Sequence, residues 1–302
     1  MHDPETIRCN VYYMRPTKVV RIISLTLSGG LIREWRNKYR INRGLPRILL
    51  KRPAPKYSLS WSVRRINLLL NFIGPGSRYL EIGVLYGHTL ENVVSKDKTA
   101  VDPSPLFDLE KLPSGLIIHK ITSDSFFPSY KQYDVIFVDG LHQFQTAYRD
   151  TINSLRSLRN CGAVLLDDSI PQDEAAALSD PIESTKLRKQ LNLYDFGSPW
   201  QGDVYKVVLA LHEFHRTEIQ FMTIEDSGNA QTVIWFRPGF GPMNLINAEE
   251  DELDPILKLN YSQVFLKGIP DCFNVCSEQQ AISSYESARR RCLADSPFDI
   301  ET

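Results

Sequence analysis

From residue 60 onward, two kinds of apolar run alternate along the chain. Trp61, Ile66, Leu69 and Phe72 recur at roughly helical spacing behind Ser60, a residue type suited to an N-cap, and Gly74-Pro75-Gly76 stops the run. Tyr79, Leu80 and Ile82 then read as a buried strand, and residues 88–94 as a helix. Short strands follow over 99–101 and 116–121. Residues 133–138 are nearly all apolar, the pattern of a strand covered on both faces. A helix with Ala147, Ile152, Leu155 and Leu158 inside closes at Asn160-Cys161-Gly162, and a fifth strand occupies 163–166. Residues 170–200 read as irregular, a lid or substrate loop. Residues 202–215 form a helix with Val204, Val207, Val208, Leu211 and Phe214 on one side. Strands over 219–224 and 232–236 are joined through Asp226-Ser227-Gly228-Asn229, a hairpin turn by composition. This alternation predicts an α/β fold, a doubly wound and mostly parallel sheet with helices on both faces. Three segments result: an extension over 1–59, a domain over 60–237, and a polar extension over 238–302 with helical promise at 277–293.

Composition narrows the class. The chain has 302 residues, 42% hydrophobic and 24% charged, which suits one large domain with extensions. The most apolar stretch, 19–32, is broken by Arg21, Ser24, Thr26 and Ser28-Gly29-Gly30, so no membrane span is expected. The first residues lack the order of a signal peptide. Cys9, Cys161, Cys272, Cys276 and Cys292 are too few and scattered for a disulfide framework, and Cys272-x-x-x-Cys276 has no second pair at zinc spacing. A cytoplasmic protein with reduced thiols is therefore expected. The net charge of −1 hides an asymmetry: 13 Lys/Arg against 3 Asp/Glu in residues 1–56, and 22 against 33 in the rest. The basic arm either meets an anionic partner or docks on the acidic body of its own fold, and we expect the second.

Candidate chemistry gathers where strands end. Glu81-x-Gly83-x-x-x-Gly87 lies between the first strand and its helix, so backbone N–H groups and the helix dipole point into the crevice. Gly83 would let the backbone approach a ligand and Gly87 would let the helix pack on the strand. Glu81 would accept from a ligand's ammonium group. Asp102, 19 positions after Gly83 at the end of the second strand, is placed to bind ribose hydroxyls. Asp139, Asp167 and Asp168 end the fourth and fifth strands. Three carboxylates there would repel one another unless a cation such as Mg²⁺ sat among them; the alternative is that each caps the next element. His142, three residues beyond Asp139, could take a proton from a hydroxyl held at the same place.

The Glu-x-Gly-x-x-x-Gly turn, with Asp102 behind it, resembles the first motif of the class I S-adenosylmethionine (SAM)-dependent methyltransferases. The resemblance implies a seven-stranded sheet with one antiparallel strand over about residues 60–237. It also implies contact of Asp124 with the adenine amino group, although Asp124 could equally cap a short helix. Asp139-Gly-x-His142 followed by Asp167-Asp168 resembles the metal-dependent O-methyltransferases that act on sugar hydroxyls of natural products. In that resemblance Asp139, Asp167 and Asp168 hold Mg²⁺ and His142 is the base. Trp200, before Gly202-Asp203, is placed near the substrate. The acceptor would be a small molecule or glycan, and the reading allows a homo-oligomer. Nucleic acid is not expected: no Asn/Asp-Pro-Pro-aromatic motif follows the fourth strand, and no Pro-Cys dipeptide occurs. A hydroxylase-like relative and a non-catalytic binding protein of the same fold remain the alternatives.

Overall fold

The computed structural model describes residues 60–107, 115–127, 131–191, 193, 200–226 and 228–295. The basic arm and its expected helix over 18–39 lie outside the described residues.

Helix α1 (Trp61–Ile73) begins as its sequence requires, with Ser60 Oγ accepting from the Val63 N–H at 3.2 Å. It buries Val63, Ile66, Leu69 and Leu70 and ends at Gly74, whose φ of 91° suits glycine. Strands β1 (Arg78–Ile82), β2 (Asp97–Val101), β3 (Leu116–His119), β4 (Tyr133–Val138) and β5 (Leu158–Leu166) run parallel. Strands β6 (Ile219–Ile224) and β7 (Gln231–Phe236) form the expected hairpin, and β7 lies antiparallel to β5. The sheet order is β3-β2-β1-β4-β5-β7-β6-β8. It contains eight strands where seven were expected, because β8 (Val275–Cys276) adds a two-residue parallel edge beside β6. A pair so short carries no periodic signal.

Helices cover both faces. On one, α4 (Phe144–Arg156) packs on β4 and β5, and α6 (Tyr205–Phe214) packs on α4. On the other, α1 lies over β4 beside α9 (Glu278–Asp295). The expected polar extension thus contributes to the core as far as it is described: α9 buries Ala281, Ile282 and Tyr285 against β5, β6 and β7. Short helices α2 (His88–Asn92) and α3 (Ser123–Phe126) follow β1 and β3, while α7 (Glu250–Leu257) and α8 (Tyr261–Phe265) precede β8. The stretch read as an irregular loop holds α5 (Pro181–Gln190), capped by Asp180 and anchored by a buried Arg188–Asp173 ion pair at 3.0 Å. Its mixed surface gave no periodicity to read.

The expectation of reduced thiols is corrected at one pair. Cys161, in β5 at a φ of 60°, forms a disulfide with Cys292 of α9 across 131 residues. Their pairing depends on α9 crossing the start of β5, which spacing could not show. Cys272 and Cys276 are unpaired with each other.

One buried pair has a pH consequence. Tyr148 Oη lies 2.7 Å from His215 Nε2, and His215 is 1% exposed. Burial, with the nearby Arg156 charge, pushes its pKa from 6.5 down to about 4, so the folded imidazole is neutral and accepts from the tyrosine. The contribution is fully present above pH 6.5, and acidification removes it progressively down to about 4, by about 3 kcal/mol. Urea midpoints between pH 7 and 4.5 should therefore fall more steeply for the wild type than for His215→Gln. Equal slopes would exclude this pair as an acid-sensitive element.

Candidate active site

The carboxyl ends of β4 and β5 are neighbours in register, Val138 opposite Leu166, so Asp139 and Asp167-Asp168 emerge side by side. Asp168 adopts a φ of 54°, a left-handed conformation that costs a non-glycine residue energy and persists only where its surroundings hold it. Two residues do so. Gln201 Nε2 donates to Asp168 Oδ1 at 3.0 Å while its own Oε1 accepts from the Gln172 N–H at 2.8 Å. Asn229 Nδ2 donates both to Asp168 Oδ1 and, at 2.7 Å, to Asp167 Oδ1. Asp167 Oδ1 also accepts from the Asp168 N–H at 2.7 Å.

With Oδ1 engaged, Asp168 Oδ2 lies 3.3 Å from His142 Nδ1. On its other side His142 Nε2 lies 3.3 Å from Asp139 Oδ1. Trp200 stacks on the imidazole with ring centroids 5.0 Å apart, and its indole N–H donates to the Leu178 carbonyl at 2.7 Å. Gly202 closes the backbone onto His142: a Cβ there would stand 1.7 Å from the His142 carbonyl oxygen. Trp200, expected near a substrate, is thus in contact with His142.

The charges are strongly coupled. Burial pushes the Asp139 carboxyl upward, and Asp168 adds to this. Burial, followed by the charges of Asp139 and Asp168, raises Asp167 to about 7. Burial works against a charged His142, but the Asp139 hydrogen bond and the charges of Asp168, Asp139 and Asp167 outweigh it, and the pKa rises to about 9. At neutral pH the imidazolium is the cation of this cluster. Asp139, His142 and Asp168 each offer a ligand atom within 4.8 Å of the others. Such a set of oxygens and one imidazole fits a divalent cation. Asp167, expected as a third carboxylate ligand, spends Oδ1 on Asn229 and the Asp168 amide.

The residues expected around a nucleoside are placed less uniformly. Glu81 is 1% exposed and accepts from Tyr79 Oη at 2.7 Å; burial raises it to about 8, so it is protonated at neutral pH within the sheet. Gly83 is required first by packing, since a Cβ would lie 2.1 Å from the Asp139 carbonyl oxygen. Gly87, at a φ of 76°, caps α2 and faces Phe107. Asp102 braces the glycine turn: Oδ2 accepts from the Val84 and Leu85 N–H groups at 2.9 Å each, and Oδ1 from Ser104. Asp124 makes no capping bond and pairs with Arg149 at 3.2 Å on an exposed surface.

Sequence reasoning missed Gln201 and Asn229, whose turn composition was read only as hairpin chemistry. It also missed an apolar rim. Leu85 and Tyr86 after β1, Leu106 after β2, Ile121 after β3 and Leu141 after β4 are all exposed, at the carboxyl ends of four adjacent strands. Ligands bind at this edge of open α/β sheets, and pockets for them are lined mainly by apolar groups.

Residues 80–169, from β1 to just past β5, match the model of a methyltransferase domain family. Over that stretch, less than a third of its length, the chain is similar to a methyltransferase domain. Similar solved structures include an O-methyltransferase from Bacillus cereus in complex with S-adenosylhomocysteine (14% identity, 74% of this chain and 98% of that one, TM-score 0.38). The O-methyltransferase TomG from Streptomyces achromogenes, in complex with SAM, is 14% identical over 78% of this chain and 99% of that one, with a TM-score of 0.38. The N-methyltransferase NodS from Bradyrhizobium japonicum is 17% identical over 59% and 94%, also at 0.38. No curated protein matches the chain. Among the described residues, no helix is long and apolar enough to cross a membrane.

Proposed function

We propose that this chain methylates a hydroxyl oxygen of a small molecule or glycan, with SAM as donor and a divalent cation, Mg²⁺ by ligand chemistry, at the carboxylate cluster. The observation that supports this best is His142 held between Asp139 and Asp168 at the ligand-binding edge of the sheet. The methyl group leaves the sulfonium sulfur as its S–C bond breaks and a C–O bond forms, so the acceptor oxygen must lose a proton. His142 is the group positioned to receive it.

An imidazolium cannot accept a proton. A cation on Asp139 and Asp168, with Asp167 behind them, would supply the positive charge that His142 supplies in its absence and would favour the neutral imidazole. Trp200 keeps the ring oriented through stacking, and Gln201 and Asn229 keep Asp168 aimed at it. The apolar rim from Leu85 to Leu141 is the surface on which adenine and acceptor would lie, with Asp102, Gly83 and Gly87 shaping the nucleoside side and Asp124 at its margin.

The reading is tested by incubating the protein with SAM, Mg²⁺ and a panel of polyhydroxylated acceptors, and following S-adenosylhomocysteine release. Release that needs a hydroxyl acceptor and stops with EDTA is expected. Transfer at full rate in EDTA would remove the cation. Transfer only to amine acceptors would remove the hydroxyl class.

A further inference from the structure

At the opposite edge of the sheet from the carboxylates, β5 begins and β7 ends beside α9, and between them lies a cavity of about 240 Å³. From Gly162 on its wall to Asp168, six residues of extended chain span about 20 Å, so this space is separate from the candidate active site. Its walls carry Arg159, Arg237 and Arg289 against a single acidic residue, Asp295. Arg159 pairs with Asp134 at 3.4 Å. Among the described residues, Arg237 and Arg289 have no carboxylate within ion-pair distance.

Both are nevertheless held in place, by backbone. Arg237 Nε donates to the carbonyls of Arg216 and Ile219 at 3.0 and 2.9 Å. Arg289 Nη1 donates to the Cys161 carbonyl at 2.8 Å, and Nε to that of Phe72 at 3.4 Å. Carbonyl acceptors orient a guanidinium without neutralising it, and each fork keeps donors for planar acidic oxygens. The Cys161–Cys292 disulfide ties the α9 wall to the β5 wall. The lining also includes the aromatic residues Trp235, Tyr285 and the partly exposed Phe240, beside the glycines and prolines of residues 238–242.

We infer that this cavity is a second ligand site, for a small organic anion that joins a phosphate or carboxylate to a flat apolar ring. The acidic oxygens meet Arg237 and Arg289, and the ring lies among Trp235, Tyr285 and Phe240. The inference uses none of the carboxylate-cluster residues and stands or falls apart from the methyl-transfer reading.

Titration calorimetry on the full chain under non-reducing conditions, with phenyl phosphate, benzoate, phenol and inorganic phosphate as probes, tests it. Phenyl phosphate or benzoate should bind more tightly than phenol or phosphate, and whichever of the two binds better identifies the acidic group. Arg237→Gln with Arg289→Gln should weaken that binding about tenfold or more, the worth of one charge-assisted hydrogen bond. S-adenosylhomocysteine affinity should be unchanged. Should the double variant unfold, Phe240→Ala, at a surface position, is expected to weaken phenyl phosphate more than inorganic phosphate. Absence of binding by the wild type at 10 mM (roughly the weakest affinity worth calling a site) would overturn the inference. So would affinity indifferent to these substitutions.

Discussion

Replacing His142 with alanine is expected to lower methyl-transfer turnover by about 10²–10⁴-fold, the usual worth of a general base. The imidazole lies within 3.3 Å of both Asp139 and Asp168, so its loss also removes the positive charge between a half-buried and a buried carboxylate. Those carboxyls would then titrate higher still, while a cation held mainly by the carboxylates should bind with nearly unchanged affinity and the proton acceptor is gone. Single-turnover rates at saturating SAM and acceptor measure the first effect. Calorimetry with S-adenosylhomocysteine measures whether the cofactor pocket is intact, as it should be, because His142 touches none of Gly83, Gly87 or Asp102. Trp200→Ala separates position from chemistry: the base remains but its stacking partner at 5.0 Å is lost, so a smaller fall in turnover is expected. Full activity in His142→Ala would assign the proton to another acceptor.

Replacing Gly83 with valine should abolish cofactor binding and disturb the carboxylate cluster together. A Cβ at this position, with φ at 82°, would lie 2.1 Å from the carbonyl oxygen of Asp139 and 2.7 Å from the Gly140 Cα. Neither is a flexible side-chain end, so the backbone after β4 must move. The branched side chain adds a conformational penalty in the left-handed region. Asp139 is displaced as a result, which couples the glycine turn to the carboxylate cluster through one steric contact. Calorimetry should find no S-adenosylhomocysteine binding by a folded variant, and its cation affinity should fall as well. Retained cofactor binding would mean that the turn and the β4 end can separate.

Much of the sheet was legible along the chain because strands covered on both faces are continuous apolar runs. Residues 133–138 became β4, buried throughout, and the Asp-Ser-Gly-Asn turn became the β6–β7 hairpin. The strand-end acids were legible for the same reason: once strands are placed, whatever follows them lies on one edge. The contacts those acids make were not legible. Glu81 looked available to a ligand, yet β1 sits in the middle of the sheet and turns it toward Tyr79. Asp102 looked like a ribose ligand, and in the fold its carboxylate holds the backbone of the glycine turn.

Local patterns by themselves determined the α/β alternation, the hairpin, the glycine turn and the presence of Asp139, His142, Asp167 and Asp168 at one edge. These follow from periodicity and from neighbours within a few residues. Only the tertiary structure decided which of them meet, because each decisive partner arrives from far along the chain. Gln201 and Asn229 reach Asp168 across 33 and 61 residues, and Trp200 reaches His142 across 58. Cys292 reaches Cys161 across 131, and α9, polar on average, becomes core because the sheet offers it an apolar face to cover. Burial and proximity are properties of the packed chain, and they set the charge on His142 and the arginine-lined cavity behind the sheet.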